Sequence, residues 1–409
     1  MKIGFLAVSA VVAAWLFAGL CPPVQASENY DINVILSLTG PGAFLGKGEQ
    51  QALQFAEKAV NDADGIQGRP VNFIFHDDQT NPQVAVQLAT DIIATKSAVI
   101  LGSSLVAACR AMMPLMADGP VMYCFSPGIH PDSGSNVFTA SVSTVDLADA
   151  AIRYFRMKGW KKFGLIFSTD ASGQDAEKNI DALLQKPENK EIRVTAREHF
   201  NTTDLSVSAQ IENIKASKPQ ALIAWSTGTP VATVFRAIQQ AGLNVPVATT
   251  DGNMTYAQMI QYKDFLPRQL YIPAAQWVVR DPTLLNPAVA AKSRVFYKAF
   301  EDNGAQPDIA SELAWEPGMI VIEALKKVGT GANAAQLRVA LAQTKGYAGV
   351  NGIYDFTATP QRGLDVSDTV VTRWAPAKNL WEIVSKPTGI PLHWDLGTQS
   401  ESGLVKRSN

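Results

Sequence analysis

The sequence predicts an α/β protein built from two consecutive doubly wound units, and three observations carry that prediction. A nearly continuous apolar strand over residues 32–38 runs straight into a glycine-rich loop and then an amphipathic helix. The same alternation of apolar run and 3.6-period helix recurs down the chain with short connections. Beyond about residue 285 long helices follow with no new parallel strand set, so they are expected to return and pack on an earlier lobe.

The loop after the first strand, TGPGAFLG over 39–46, lies beyond a strand carboxyl end. Open α/β sheets collect ligands there, because loops and helix N-termini present N–H groups without intrahelical partners. In the next helix Ala52, Phe55, Ala56, Ala59 and Val60 mark one buried face; Asp64-Gly65 and Gly68 break it, and 71–75 returns to the sheet. Asn81 before Pro82 is a cap followed by a first-turn proline, with Val84, Leu88 and Ile92 at helical spacing. A strand at 98–101, a helix at 105–117 and a strand at 121–125 complete the first series. The second reads as helix 144–155, strand 163–167, a helix from Gly173, strand 193–198, helix 206–216, strand 221–225, helix 230–241 and strand 245–249. Helices at 287–302, 308–328 and 333–343 precede short strands at 353–356, 370–374 and 381–384. Residues 395–409 are polar and aperiodic and read as a flexible tail.

The N-terminus indicates the compartment. Met1-Lys2, the apolar run 3–20, Pro22-Pro23 and Val24-Gln25-Ala26 have the three parts of a secretory signal, with cleavage expected after Ala26. The alternatives are a retained anchor, since the run approaches the roughly 20 residues a span needs, and a lipoprotein site at Cys21, which Leu20 disfavours. Lys2 is the only charge in the segment, so its removal takes the formal net charge from −2 to −3, too slight to attract nucleic acid or an anionic membrane. Cys109 and Cys124 then remain, and in an oxidising compartment they are expected to be bonded; two buried free thiols are the alternative.

LSLTGPGAFLGKG, GIQGRP, HDDQTNP, LGSS, VFTASVS, GLNVP, EALKKVG and YAGVNGIYDF occur in that order over nearly the whole chain. Together they resemble the periplasmic solute-binding proteins of branched-chain amino acid type ABC importers. The resemblance implies the type I periplasmic binding protein fold: two Rossmann-like lobes joined by a three-segment hinge, closing on a solute and presenting the closed form to a membrane permease. Its expected domains are 27–144 with 277–353, and 145–276 with 354–394. Its crossings are expected near 142–145, 274–277 and 351–356, in a monomeric periplasmic protein without cofactor or metal.

The candidate solute contacts are strand-end residues. In the first lobe they are Phe44 and Leu45 on the covering loop, Ser103 and Ser104, and Ser126, Pro127 and Gly128. In the second lobe they are Asp170 and Ser172 ahead of Gly173, where serine stands in place of the family's frequent tyrosine, then Trp225, Thr227 and Gly228, then Asp251 and Asn253. Trp277 falls at the expected second crossing. Ordinary loop packing for Phe44 and Leu45, a helix cap for one serine, and core closure for Trp225 are the competing roles. Val106 stands where amino acid binders place a hydroxyl, and the family's ammonium-binding glutamate has no clear counterpart, although Asp251 lies nearby. Phe44, Phe125 and Trp225, expected near the cleft without charged partners, point to an aromatic or other hydrophobic carboxylate, such as a benzoate or hydroxycinnamate. A branched-chain amino acid or an amide is the alternative.

Catalysis is not expected. Gly40, Gly42 and Gly46 miss the G-x-G-x-x-G spacing by one residue. There is no nucleophile elbow, phosphate loop or H-E-x-x-H pair, and His76, His130, His199 and His393 are scattered without metal-ligand spacing. Asp77 and Asp78, adjacent on a strand, point to opposite faces. A ligand sensor of the same fold remains open from sequence.

Overall fold

The computed structural model describes residues 28–392. The expected leader, Cys21, His393 and the expected tail lie outside the described residues. The first sheet holds β1 (Tyr30–Leu36), β2 (Val71–Asp77), β3 (Val99–Gly102), β4 (Val121–Cys124) and β5 (Val137–Thr139) in the order β2-β1-β3-β4-β5. Every pairing is parallel, with Val34 of β1 opposite both Phe75 and Leu101. Both faces are covered by helices, among them α1 (Ala43–Asp62), α2 (Pro82–Ala94) and α3 (Val106–Met112), which is why β1, β3 and β4 read as apolar runs without alternation.

After α4 (Thr144–Met157), held by a Ser143/Asp146 capping box, the chain builds the second sheet. Its parallel part is β6 (Lys162–Ser168), β7 (Arg193–Phe200), β8 (Ala221–Trp225), β9 (Val247–Ala248) and β10 (Leu270–Ala275), with α5 (Ala171–Leu184), α6 (Ser208–Ala216), α7 (Pro230–Ala241) and α8 (Tyr256–Gln261) between strands. The long helices α9 (Pro287–Glu301) and α10 (Ile309–Val328) return to the first lobe. There Phe300 meets Phe55 of α1 edge-on at 5.0 Å, and α10 lies along α1. After α11 (Ala334–Ala342) and the hairpin β11 (Lys345–Ala348)–β12 (Ile353–Asp355), the chain adds antiparallel β13 (Thr369–Ala375) and β14 (Leu380–Ile383) to the second sheet, giving β14-β13-β10-β9-β8-β6-β7.

The chain therefore passes between the lobes three times. The third passage comes later than the expected 351–356. Phe356 still packs on Phe138 at 5.6 Å, the Thr139 N–H donates to Gln361 O, and Arg362 is buried among first-lobe carbonyls. Only with β13 does the chain join the second sheet.

Three elements depart from expectation, two of them for identifiable reasons. The helix expected over 105–117 stops as α3 and continues as a 3₁₀ turn, Met113–Met116, because Pro114 cannot supply the next helical N–H. β10 was not anticipated, since Pro273 in its middle argues against a central strand, yet all six residues are buried between β9 and β13. β9 is only two residues long, shorter than the expected 245–249. The expected disulfide joins Cys109 on α3 to Cys124 at the end of β4, with Cα atoms 6.1 Å apart. No helix among the described residues is long and apolar enough to cross a membrane.

Candidate ligand-binding cleft

In each sheet the second strand lies on one side of the first and the third strand on the other. The carboxyl ends of β1 and β3, and of β6 and β8, therefore form topological switch points, where connecting loops diverge and leave a crevice. The two switch points face each other across a cavity of about 310 Å3. Its first wall comes from the loops after β1, β3 and β4: Phe44 and Leu45, Ser104 and Val106, and Ser126 with Pro127 and Gly128. Its second wall comes from the loops after β6, β8 and β9: Asp170 and Ser172, Trp225 and Thr227, and Thr250 with Asp251. At its low end the 300–1,000 Å3 range of small-molecule pockets matches this volume, so the cavity suits a small solute.

The lobes touch around this space. A Cβ on Gly228 would lie 2.9 Å from the Phe44 ring, and the Ile309 N–H donates to Met254 O at 3.3 Å. Outside the cavity, Asp175 of α5 accepts from Arg110 of α3 at 3.0 Å and pairs with His130 at 3.1 Å.

A family model described as periplasmic binding protein matches residues 30–378. The chain belongs to this family. A Pseudomonas aeruginosa protein named as a leucine-, isoleucine-, valine-, threonine- and alanine-binding protein is 21% identical over 255 residues, covering 62% of this binding protein and 68% of the relative. Among solved structures, the branched-chain amino acid transporter substrate-binding protein LivJ of Streptococcus pneumoniae in complex with isoleucine superposes with a TM-score of 0.74 at 18% identity, over 87% of this chain and 99% of that one. A fatty acid ABC transporter substrate-binding protein from Thermomonospora curvata gives 0.73 at 17% identity, over 88% and 92%. These likenesses support the two-lobed fold.

Most of the sequence-nominated residues converge in the binding protein, but four do not reach the cavity wall. Ser103 Oγ donates to Asp78 Oδ2 at 2.5 Å, and Ser37 donates to the other oxygen of Asp78 at 2.8 Å, so Ser103 ties β3 to the end of β2. Asn253 accepts from the Gly228 N–H at 2.9 Å and donates to Ser226 O at 2.7 Å; it braces the loop that carries Thr227. Gly228 meets Phe44 at the lobe contact. Trp277 lies on the second crossing in a separate depression with Tyr256, Arg280 and Trp381, and its carbonyl accepts from Tyr297. Proximity to a strand end nominated Ser103, Gly228 and Asn253, and the expected crossing nominated Trp277, but their hydrogen bonds or contacts turn elsewhere.

Other wall residues were missed. Thr80 contributes through a loop tie, donating to Thr39 O and accepting from the Gly42 N–H. Thr144 opens α4, and Leu313 arrives from α10, far away in sequence. The serine before the first turn of α4 was a readable cap signal for Thr144; Leu313 carried none.

The wall's charge is one-sided. Asp170 caps α5, accepting from the Gly173 N–H at 3.0 Å and the Ser168 hydroxyl at 2.7 Å. Asp251 Oδ1 accepts from Thr250 and the Gly252 N–H, whereas its Oδ2 has no hydrogen-bond partner. Burial pushes its carboxyl up to about 6 against the opposing pull of those bonds. No lysine, arginine or histidine is among the wall residues.

Proposed function

We propose that this binding protein is the extracytoplasmic solute receptor of an ABC importer, exported by cleavage after Ala26 and read by a membrane permease in its closed form. Its solute is a small hydrophobic amino acid. The observation that carries the choice is the pairing of two wall carboxylates, Asp170 and Asp251, on a wall that itself holds no lysine, arginine or histidine. A simple carboxylate anion would face that charge unpaired, whereas a zwitterion brings its own ammonium to Asp251. Its carboxylate is then left to the hydroxyls of Ser104 and Ser126, and its side chain to Phe44, Leu45, Val106 and Trp225. The names of the Pseudomonas relative and the Streptococcus structure support this order. The aromatic carboxylate expected from sequence is the second reading, favoured by the rings of Phe44 and Trp225 and by the fatty-acid-binding neighbour.

The test is calorimetric titration of the mature protein with leucine, leucinamide, isoamylamine, benzoate and hydroxycinnamate. Leucine is expected to bind tightest, and at 100 times its dissociation constant to add about 2.7 kcal/mol to thermal stability. Binding of benzoate or hydroxycinnamate with leucine inert would transfer the assignment to the aromatic acids. Heat from none of the five would sink both readings.

A further inference from the structure

Beneath the first wall lies a carboxyl group that neither the fold nor the solute reading uses. Glu49 sits on the inner face of α1 and is fully buried. It is hydrogen-bonded to the hydroxyl of Ser104, which lines the cavity, while its Oε1 has no partner. A glutamate on the buried stripe of a helix, in line with Leu45, Ala52, Leu53 and Ala56, is out of place unless something requires it.

We propose that Glu49 is a positioning residue for the solute: its proton decides whether Ser104 offers the cavity a hydrogen-bond donor or only an acceptor. With Glu49 neutral, its O–H donates to Ser104 Oγ and the serine's own proton is free to point at a solute carboxylate. With Glu49 ionised, it can only accept, so the Ser104 hydroxyl turns inward and presents lone pairs to that carboxylate. One proton thus switches the wall from attractive to repulsive without moving a heavy atom. The inference rests on the reading that a solute carboxylate lies at Ser104.

The surroundings hold the attractive setting near neutral pH. Burial is the main force raising the Glu49 carboxyl, to about 8, and it outweighs the Ser104 bond; Asp78 beyond β2 and Asp308 at the start of α10 raise it further. The other acids of α10 engage different partners, Glu312 with Asn351 and Glu316 with the Val350 N–H. The charged groups acting on Glu49 are therefore acidic, and none would stabilise its anion.

Two measurements test this on the whole mature protein. Leucine affinity is titrated from pH 6.5 to 9 in the natural protein, in Glu49→Gln and in Ser104→Ala. The natural protein should lose affinity on the order of tenfold or more as pH rises through about 8. Glu49→Gln, whose amide can donate to Ser104 at every pH and does not ionise, should lack this loss. Ser104→Ala should bind more weakly and equally lack it. Loss of leucine's own ammonium proton at higher pH affects all three alike, so the differences between curves carry the result. Matching curves for the natural protein and Glu49→Gln would overturn the proposal. Infrared spectra of the solute-free protein supply the second readout: a neutral carboxyl band at pH 7, absent in Glu49→Gln and shifted in Ser104→Ala. Absence of that band overturns the proposal whatever the solute. The band in place with leucine inert at every pH would count against the amino acid reading instead.

Discussion

In the first lobe α1 approaches β1 so closely that a Cβ on Gly46 would lie 2.1 Å from Ser37 O; in the second, α5 does the same after β6, where a Cβ on Gly173 would lie 1.8 Å from Ser168 O. Each lobe then sends the loops after its first, third and fourth strands to the cleft. The chemistry those loops carry is not repeated. The first wall offers hydroxyls over a buried glutamate, and the second offers the carboxylates Asp170 and Asp251 with the face of Trp225. Topology determines where the loops meet, and the side chains at their tips determine the polarity of each wall. A solute with unlike ends is therefore oriented by the difference between two similar frames.

The largest test of this equivalence is Gly46→Ala against Gly173→Ala. Each methyl would meet backbone that cannot give way, so each should cost about 3 kcal/mol or more in urea unfolding. Tolerance at one site but not the other would break the parallel between the lobes.

The disulfide distinguishes the lobes next, because Cys109–Cys124 closes a short loop in the first alone. Reduction should destabilise the protein by about 3 kcal/mol, from the closure entropy of a loop of this length. Hydrogen exchange should quicken in β3, β4 and α3 and leave β6 and β8 protected. Uniform loss of protection would mean that the lobes unfold as one unit.

Asp251 belongs to the second wall only. Its raised carboxyl means that the folded protein holds more protons than the unfolded chain between about pH 4 and 6. Solute-free stability should therefore fall as pH rises through that window, by at most roughly 3 kcal/mol. Asp251→Asn should remove this fall in thermal melts and weaken leucine binding about a hundredfold. A variant that binds leucine normally would remove Asp251 from the solute contacts.

The smallest effect is expected at the lobe contact outside the cavity. Asp175→Asn weakens the pairing with half-exposed Arg110 and His130, and should lower solute affinity only about threefold. Small-angle scattering should record a more open solute-free form. An unchanged scattering curve would show that the contact does not bias closure.

How much of this was legible in the sequence depended on the range of the signal. The first-wall residues Phe44, Ser104 and Ser126 follow strands whose apolar runs were unambiguous, so their place at the carboxyl ends could be inferred directly. Which way a polar side chain turns at a strand end is a tertiary matter: Ser103 and Ser104 are neighbours, yet one bonds Asp78 just beyond the end of β2 while the other lines the cavity. β10 was concealed by Pro273, and Leu313 reaches the wall from a helix that joins the first lobe only after the chain has built the parallel part of the second sheet. Glu49 lies among the buried residues of α1, and nothing in the local pattern marks a glutamate there as buried.

Arg362 gives the hinge a property of its own. Buried just before the third crossing, its guanidinium donates to Ala140 O and Ser141 O at the first crossing, and to Pro127 O and Ile129 O beside the cavity. In mechanical terms the fulcrum and the lip of the jaw are one piece. If solute contacts the Pro127 turn as proposed, it would not push at the end of a lever but load the pivot itself, through the bonds by which Arg362 ties that turn to the first crossing.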